Sequence, residues 1–367
     1  MASVFAACFS TVLPIISSIL MWTAYAISQV MCWCTRFLSA LPYSSIAATL
    51  NIYVAIFISL SICFLLYIFW PTKIRLPKIR IKKTKLIISS LVVVSTIFTL
   101  FILFPTNSQT TLKALDVGQG DSILIQSKGS SFMIDTGNQD NLLKTRLAEN
   151  GITHLDGILI THPDDDHCGS LDVINQFVDV SKVYVASDLP NNSGNNCKKL
   201  MAEIKKLVNE KDIIKLKVGD KICFGEVEMD IIWPDKYKDD GGNCDSLTAV
   251  ANIDIGNDGI IESRALLCGD AEKDEIDSMF KKRRIPKIDI YKCGHHGSAN
   301  ALSDKGAKNL SPKVTIISVG AKNKYGHPNS KTIDLLKSTG SKIYRTDTSG
   351  TIVVNFNSAS IDISTQK

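Results

Sequence analysis

Acidic residues are missing from the first part of this sequence. The first 106 of its 367 residues contain no Asp or Glu, although the whole chain has 36. The same segment carries eight basic residues, which leaves 33 basic against 36 acidic residues and a net charge of −3 for the remainder. This absence excludes an ordinary mixed-charge, water-facing surface for the first segment. It indicates that the first segment lies in lipid and that the rest of the chain lies in water.

Long uncharged runs fill the segment that lacks acidic residues. Residues 47–70 and 86–104 are long enough to cross a hydrocarbon layer of about 30 Å as helices. Residues 4–30 form a third candidate span, in which Pro14 favours a kinked or re-entrant helix. A cleaved signal peptide is the alternative for this third run, but no basic residue precedes it. The sequence therefore predicts about three transmembrane helices.

The basic residues predict the orientation of these helices. Seven of the eight lie within residues 71–85, and short Lys/Arg-rich loops normally stay in the cytoplasm. We therefore expect a membrane region over residues 1–106 and an extracytoplasmic domain over residues 107–367. This location, outside a membrane that the chain crosses several times, permits disulfides without demanding them.

Histidine is also scarce, with only six in the chain. Five of them fall in three glycine-containing segments that each follow an apolar, strand-like run: His162, His167, His295, His296 and His327. Histidines used for packing would not concentrate in this way, so the pattern favours one metal-dependent site assembled from distant loops. The sixth, His154, is predicted to be structural.

The densest of these segments is residues 158–170, ILITHPDDDHCGS, which puts an apolar strand directly before His and Asp side chains. A turn after a strand can aim His162, Asp164, Asp166 and His167 into one cleft. Their nitrogen and oxygen donors suit hard or borderline divalent metals. An acidic surface turn would explain the aspartates but not the histidines.

Later segments offer further candidates. Asp270 follows an apolar strand and is either a metal ligand or a helix N-cap. The adjacent His295 and His296 lie between glycines, a pattern that favours metal binding or proton transfer. His327 precedes a predicted helix, where it either donates a proton or is a solvated loop residue.

Three other segments have competing interpretations. Residues 116–122, DVGQGDS, and residues 135–138, DTGN, are either plain turns or loops that approach a ligand. Residues 281–284, KKRR, suggest nucleic-acid binding, but a helix C-terminus favours basic residues in any case. The net charge of −3 argues against a strong nonspecific DNA-binding surface.

From residue 111 onward, short β-rich runs alternate with helical ones, which is typical of an α/β or α+β domain. Helices are predicted over residues 141–149, 171–177, 198–209, 271–280 and 329–338.

Six motifs, in their order along the chain, resemble the metallo-β-lactamase superfamily and, within it, the C-terminal domain of ComEC-type competence proteins. They are LDVGQGDSILIQ, MIDTGN, ILITHPDDDHCGSL, LLCGDAE, YKCGHHGS and SVGAKNKYGHP. The match covers most of residues 111–356, and LPYSSIA at residues 41–47 resembles the segment before that family's last helices. Because family members carry more helices and a further N-terminal domain, the chain looks like a fragment or a shortened relative.

The resemblance implies an α/β fold, a metallo-β-lactamase-like four-layer αββα sandwich preceded by the membrane helices. It also implies one or two divalent ions, Zn or Mn, with Mg as a harder alternative. The implied ligands are His162, Asp164, Asp166, His167, Asp270 and one of His295 or His296.

The sequence departs from the superfamily pattern at two places. Asp164 stands where most members have histidine, which makes the site harder. No histidine lies between His167 and His295, where the wider superfamily supplies another ligand. Residues 243–247, NCDSL, occupy that region, so either Asn243 or Asp245 helps to coordinate the metal or one metal position is weak.

The resemblance suggests hydrolysis of a phosphodiester and degradation of one DNA strand during uptake. Asp166 would orient the attacking water or accept its proton, and His327 would act on the leaving group or the oxyanion. The expected partners are single-stranded DNA, membrane lipid and a separate channel subunit. The alternatives are an exported phosphodiesterase for a lipid or cell-wall headgroup, and a noncatalytic module that binds DNA or completes a channel.

Overall fold

The computed structural model describes residues 109–366 of the chain. The predicted spans at residues 4–30, 47–70 and 86–104 lie outside the described residues, as does the basic loop at residues 71–85. Within the described residues, no helix is both long enough and apolar enough to cross a membrane. The six cysteines of this part are free thiols.

The first of two large sheets has eight strands in the order β17-β16-β1-β2-β3-β5-β7-β8. Strands β3, β5, β7 and β8 run parallel to one another, and the other neighbours are antiparallel. The strands are β1 (Thr111–Ala114), β2 (Ile123–Ser127), β3 (Ser130–Ile134), β5 (Gly157–Leu159), β7 (Val183–Ala186), β8 (Ile213–Leu216), β16 (Thr351–Phe356) and β17 (Ile361–Gln366).

The second sheet has seven strands in the order β15-β14-β13-β12-β11-β10-β9. Its strands β12 to β15 are parallel, and β9 to β12 are antiparallel. The strands are β9 (Lys221–Phe224), β10 (Val227–Trp233), β11 (Thr248–Ile253), β12 (Ser263–Leu267), β13 (Ile290–Lys292), β14 (Val314–Ile317) and β15 (Lys342–Arg345). A small parallel pair is formed by β4 (His154–Leu155) and β6 (Asp179–Val180).

Eight α-helices accompany these strands within residues 109–366. They are α1 (Asp140–Glu149), α2 (Asp165–Cys168), α3 (Leu171–Phe177), α4 (Asn195–Leu207), α5 (Lys273–Lys281), α6 (Asp304–Leu310), α7 (Ser330–Ser338) and α8 (Thr346–Ser349). Five of them, α1, α3, α4, α5 and α7, agree with the sequence prediction to within a few residues. Helix α6 was not predicted, because Gly306 interrupts its helical pattern; the Ser303 side chain accepts a hydrogen bond from Gly306 N and caps it.

Three apolar clusters give the molecule four layers. The two sheets face each other across the central cluster, where the Phe132 and Phe224 rings stack with centroids 4.8 Å apart. The outer face of the first sheet packs against α1, α3 and α4, through residues such as Leu143, Ile174 and Ile204. The outer face of the second sheet packs against α5, α6 and α7. The predicted αββα sandwich is therefore confirmed for the described residues.

The topology brings distant motifs to one edge of the sandwich. Carboxyl ends of parallel strands meet at the same edge of a sheet, which is where α/β proteins place their ligands. The chain leaves β3 at Asp135 and β5 at His162 in the first sheet. It leaves β12 at Asp270 and β13 at His295 in the second sheet. The two sheets thus direct their loops to a shared edge.

Candidate metal centre

The segment between β5 and α2 carries the first group of candidate ligands. The His162 and His167 side chains are fully buried, with 1% and 0% of their surface exposed. Their rings lie 4.1 Å apart between centroids. Asp164 lies at the rim, where its Oδ2 is 3.5 Å from His162 Nε2 and its side chain is 40% exposed. The short helix α2 then presents Asp166 and His167 from consecutive positions.

Four side chains from three segments meet at one point. Ligand atoms of Asp166, His167, Asp270 and His296 all lie within 4.8 Å of one another. His167 Nε2 is 3.1 Å from Asp270 Oδ1, and His296 Nε2 is 3.1 Å from Asp166 Oδ2. His162 and Asp164 adjoin this group through the ring of His167.

The unpaired atoms of this group fit a divalent metal. His162 Nε2, His167 Nε2 and Asp270 Oδ1 are buried and, although the last two lie 3.1 Å apart, none of them makes a hydrogen bond of good geometry among residues 109–366. A buried polar atom without a partner costs about 1–3 kcal/mol. Imidazole nitrogens and carboxylate oxygens are the donors that Zn and Mn accept. The residues present therefore suit such an ion, which Asp166, His167, Asp270 and His296 would hold, with His162 beside them.

Asp135 fixes the orientation of His167. Its Oδ2 lies 2.7 Å from His167 Nδ1, which leaves Nε2 of that ring facing Asp270. The same carboxylate accepts hydrogen bonds from Thr161 N and Thr161 Oγ1. A carboxylate behind a ligating histidine is a recurrent feature of metal sites. The backbone of Asp135 has φ of 58°, which an L-residue adopts only when its surroundings hold it there.

Charges in the group offset one another. Burial by itself lowers the pKa of His296, but Asp270, Asp121 and Asp166 outweigh it and raise that pKa to about 10. Burial likewise raises the pKa of Asp270, yet His167 and His296 hold it well below its usual range. A metal must displace protons from such imidazoles, so binding there releases protons.

A buried ion pair lies against the centre and was missed by the sequence analysis. Lys292 and Asp121 are 1% and 2% exposed, and Lys292 Nζ donates to Asp121 Oδ2. Asp121 Oδ1 is also 3.5 Å from His296 Nδ1. The DVGQGDS segment therefore supplies a carboxylate that contacts a candidate ligand. A lysine within an apolar strand carried no signal, since lysine is usually exposed.

The two adjacent histidines have different surroundings. His296 is buried in the four-residue group, and its Nδ1 lies 3.0 Å from Ser318 O. His295 lies at the rim, 30% exposed, with its Nδ1 2.6 Å from Glu272 Oε1. Both have positive φ, 45° and 50°, a conformation that turns consecutive side chains in different directions. The geometry thus favours His296 as the inner ligand.

Residues 243–247 occupy the region without a histidine. Asn243 Nδ2 lies 3.3 Å from His295 Nδ1, and Ser246 Oγ accepts a hydrogen bond from Asp270 N. Asp245 accepts instead from the backbone N–H groups of Lys238 and Asp239, and it lies outside the four-residue group. This segment therefore contacts the rim and the backbone of a ligand.

His327 lies farther out along the rim. Its ring centroid is 5.5 Å from that of His295 and 5.8 Å from that of Tyr325. Burial, together with the charges of His295 and His296, lowers the pKa of His327. The structure therefore brings His327 beside the predicted centre without placing it among the inner ligands.

Two other candidates lie in ordinary ion pairs. Lys282 and Arg284 both bond to the carboxylate of Asp235, so this basic cluster is partly neutralised. His154 Nδ1 is 2.8 Å from Asp179 Oδ2 at the surface, as expected for a structural residue.

Part of the chain matches a known protein family. Residues 115–196 match the model of the Metallo-beta-lactamase superfamily. The chain is also similar in fold to the crystal structure of YhfI, a metallo-β-lactamase fold protein from Bacillus subtilis. That likeness has 11% identity and a TM-score of 0.44, and covers 69% of this chain and 99% of that one.

Three curated relatives match over most of the chain. ComE operon protein 3 of Bacillus subtilis is 26% identical over 289 residues, covering 73% of this chain and 36% of the relative. Recombination protein 2 of Haemophilus influenzae is 27% identical, with coverages of 70% and 30%. Competence protein ComA of Neisseria gonorrhoeae is 23% identical, with coverages of 67% and 32%. The chain spans about a third of the length of these relatives. In its six ordered motifs and in these matches, the chain is similar to ComEC-type competence proteins, and its residues 115–196 match the metallo-β-lactamase superfamily.

Proposed function

We propose that the domain over residues 107–367 is a metal-dependent phosphodiesterase that degrades one DNA strand during uptake. The observation that carries the proposal is the convergence of Asp166, His167, Asp270 and His296, whose ligand atoms all lie within 4.8 Å of one another. The names of two relatives, a competence protein and a recombination protein, support DNA as the substrate.

The proposed ligands are His162, Asp164, Asp166, His167, Asp270 and His296, and His295 is assigned to the rim. A bound Zn or Mn ion, or Mg as the harder alternative, supplies a water of lowered pKa and stabilises charge on the phosphoryl oxygens. The mixture of three carboxylates with three imidazoles fits ions of this borderline to hard character.

The chain's own residues orient the reactants. Asp166, which reaches the centre from α2 and lies 3.1 Å from His296 Nε2, is placed to hold the attacking water and accept its proton. Asp135 fixes the ring of His167. His327, on the outer side of His295, is placed to act on the leaving group or to contact the developing anion.

The remaining parts of the proposal concern the whole protein. Residues 1–106 anchor the domain in the plasma membrane, with residues 71–85 in the cytoplasm and the domain outside. Single-stranded DNA, membrane lipid and a separate channel subunit are the partners in this proposal. Supporting this topology is the absence of acidic residues from the first 106 positions.

Asp166→Ala tests the assignment. In the purified full chain, loaded in turn with Zn, Mn and Mg, the wild type should cleave single-stranded DNA. The variant should lose at least about a hundredfold in kcat, because the water loses the group that orients it and accepts its proton. Metal content by atomic emission and the circular dichroism spectrum check that the variant is loaded and folded.

Asp165→Ala is the matched control, since Asp165 lies next to Asp166 on α2 but pairs with Lys199 at the surface. It should keep wild-type activity. Full activity in Asp166→Ala would contradict the assignment. Cleavage of glycerophosphodiesters or teichoic acid but not of DNA would indicate a headgroup phosphodiesterase instead.

A further inference from the structure

The loop after β14 carries an aromatic side chain that the core does not use. Tyr325 is 71% exposed, more than any other large hydrophobic side chain among residues 109–366. The others in this class are Ile260, at 62%, and Phe177, at 42%, whose ring is covered by Lys144 Nζ at 4.9 Å. The Tyr325 ring is therefore accessible to a ligand.

A row of rings connects Tyr325 to the candidate metal centre. Its ring lies nearly parallel to that of His327, with centroids 5.8 Å apart and planes at 21°. The next contacts are His327 to His295, at 5.5 Å, and His295 to His296, at 6.2 Å. Tyr325 therefore lies three ring contacts from an inner candidate ligand, at the open end of the row.

The loop that carries Tyr325 is held in a fixed shape. Asn323 Nδ2 donates hydrogen bonds to Gly320 O and His327 O, and Asn323 Oδ1 accepts from Tyr325 N and His327 N. Gly320 N donates to Gln119 Oε1, which ties the loop to the DVGQGDS segment at the centre. A site whose shape is fixed before binding loses less entropy when it takes a ligand.

Two lysines precede Tyr325 in the same loop. Lys322 and Lys324 are exposed, and neither has a carboxylate oxygen within 4.0 Å in the part of the chain that the structure describes. They differ in this respect from Lys282 and Arg284, which share Asp235. Unpaired cations next to an open ring are the combination that recognises single-stranded nucleic acid, whose phosphates and base faces are both accessible.

We propose that Lys322, Lys324 and Tyr325 form a subsite for single-stranded nucleic acid, in which a base stacks on the Tyr325 ring and neighbouring phosphates contact the lysines. The subsite deepens the proposed function, on which it rests for its place beside the metal centre. Bases within a duplex are stacked on one another and offer only their edges, so the exposed Tyr325 ring selects unpaired nucleotides.

The test compares two ligands of equal charge. Binding of an oligothymidylate and of an abasic oligodeoxyribose phosphate of the same length is measured on the full chain by fluorescence anisotropy, in EDTA so that no strand is cleaved. The wild type should bind the oligothymidylate about tenfold more tightly. Tyr325→Ala should bring this ratio near one, and Tyr325→Phe should retain it, because stacking needs the ring and not the hydroxyl.

The controls separate stacking from charge. Phe177→Ala removes an exposed ring elsewhere and should leave the ratio unchanged. The double variant Lys322→Gln/Lys324→Gln should weaken both ligands alike and lower the slope of log K against log salt by about 1.4. The double variant Lys205→Gln/Lys211→Gln, two exposed lysines elsewhere, should leave that slope unchanged.

An unchanged ratio in Tyr325→Ala overturns the subsite, as does an equal loss for both ligands. The proposed function is judged separately, by metal-dependent hydrolysis of bis(p-nitrophenyl) phosphate by the wild type. Hydrolysis together with an unchanged ratio refutes the subsite alone. A Tyr325-dependent ratio without hydrolysis, under any of the three metals, refutes the phosphodiesterase and supports the subsite.

Discussion

Single residues behind the candidate ligands decide how the centre is built. Lys292 and Asp121 form an ion pair that is buried on both sides, and Asp121 faces His296. Burial by itself lowers the pKa of Lys292, but Asp121 and Asp270 outweigh it and raise that pKa above its ordinary value. Lys292 is therefore a permanent cation next to a group of carboxylates.

Lys292→Met should destabilise the full chain by about 3–5 kcal/mol, because it leaves the Asp121 carboxylate buried without its partner. Urea unfolding measures this change in free energy. Adding Asp121→Asn to this variant removes the buried carboxylate charge and should recover part of the lost free energy of unfolding. Lys313→Met is the control, since Lys313 pairs with Asp289 while 67% exposed, and should cost no more than about 1 kcal/mol. Equal losses in the two single variants would contradict the role of burial.

Residue types alone singled out the side chains that the fold brings together, because few side chains bind metals and these were concentrated in rare segments. They did not separate His295 from His296, since sequence order does not give the direction of two adjacent side chains with positive φ. Nor did they identify Asp135 as a partner of His167. The two residues are 32 positions apart in sequence, and only the pairing of β3 with β5 brings them together.

At the scale of elements, close backbone contacts place the short helix α2. Gly120 has φ of 132°, and a Cβ there would lie 2.3 Å from Asp166 O. Asp121 N donates a hydrogen bond to the same carbonyl oxygen at 3.0 Å. The DVGQGDS loop therefore packs directly against the backbone of the helix that carries Asp166 and His167. This close contact requires a residue without a side chain at position 120.

Gly120→Ala should displace the backbone of Asp166 and lower metal affinity at least about tenfold, because the ligands lose their alignment. Isothermal titration with Mn measures the affinity, and thermal unfolding measures the stability. Gly129→Ala is matched to it: Gly129 also has positive φ, 87°, but a Cβ there meets nothing within 4 Å. That variant should lose stability from backbone strain and keep its metal affinity. Equal affinities in the two variants would rule out this account of α2.

Five of the eight helices followed from the sequence because their apolar residues recur with helical period against a sheet face. Helix α6 and strand β17 did not. The first contains a glycine that the fold uses for close packing against Leu302, where a Cβ would lie 3.1 Å from Cδ1. Strand β17 is an exposed edge strand that pairs with β16. Neither of its faces is buried, so no buried face marks it as a strand in the sequence.

At the scale of the whole domain, the connection between β10 and β11 bridges the two halves of the sandwich. Tyr237 N donates to Asp188 Oδ2, and Cys197 Sγ donates to Asp240 O, both across to the side of the first sheet. Within this connection, oxygens of Asp239 and Asp245 lie within 4.8 Å of each other. Burial and the neighbouring Asp239 raise the pKa of Asp245 to about 6.

This raised pKa makes the stability of the domain depend on pH. A carboxyl whose folded pKa is higher than its unfolded pKa, near 4, favours the fold at low pH and loses that contribution as pH rises through about 6. Relative to Asp245→Asn, the wild-type Tm should therefore fall by a few degrees between pH 4 and pH 7. Scanning fluorimetry of both full chains at the two pH values measures the difference.

Asp239→Asn is the background control for this comparison. It removes the neighbouring charge that helps to raise the pKa of Asp245, so the effect of Asp245→Asn should depend less on pH in that background. A Tm difference between the wild type and Asp245→Asn that stays constant from pH 4 to pH 7 would contradict the prediction.

The sequence by itself determined the alternation of strands and helices and the set of metal-ligand candidates, because hydrophobic period and rare residue types are local properties of the chain. The αββα class followed from the resemblance of its motifs to a known superfamily. Tertiary structure decided which candidates converge: it brought Asp270 and His296 to Asp166 and His167, moved His295 to the rim, and added Asp135, Asp121 and Lys292 behind the ligands. The reason is physical. A buried charge is tolerated only beside its partner, and here the packing of the two sheets brings together partners that are more than a hundred residues apart.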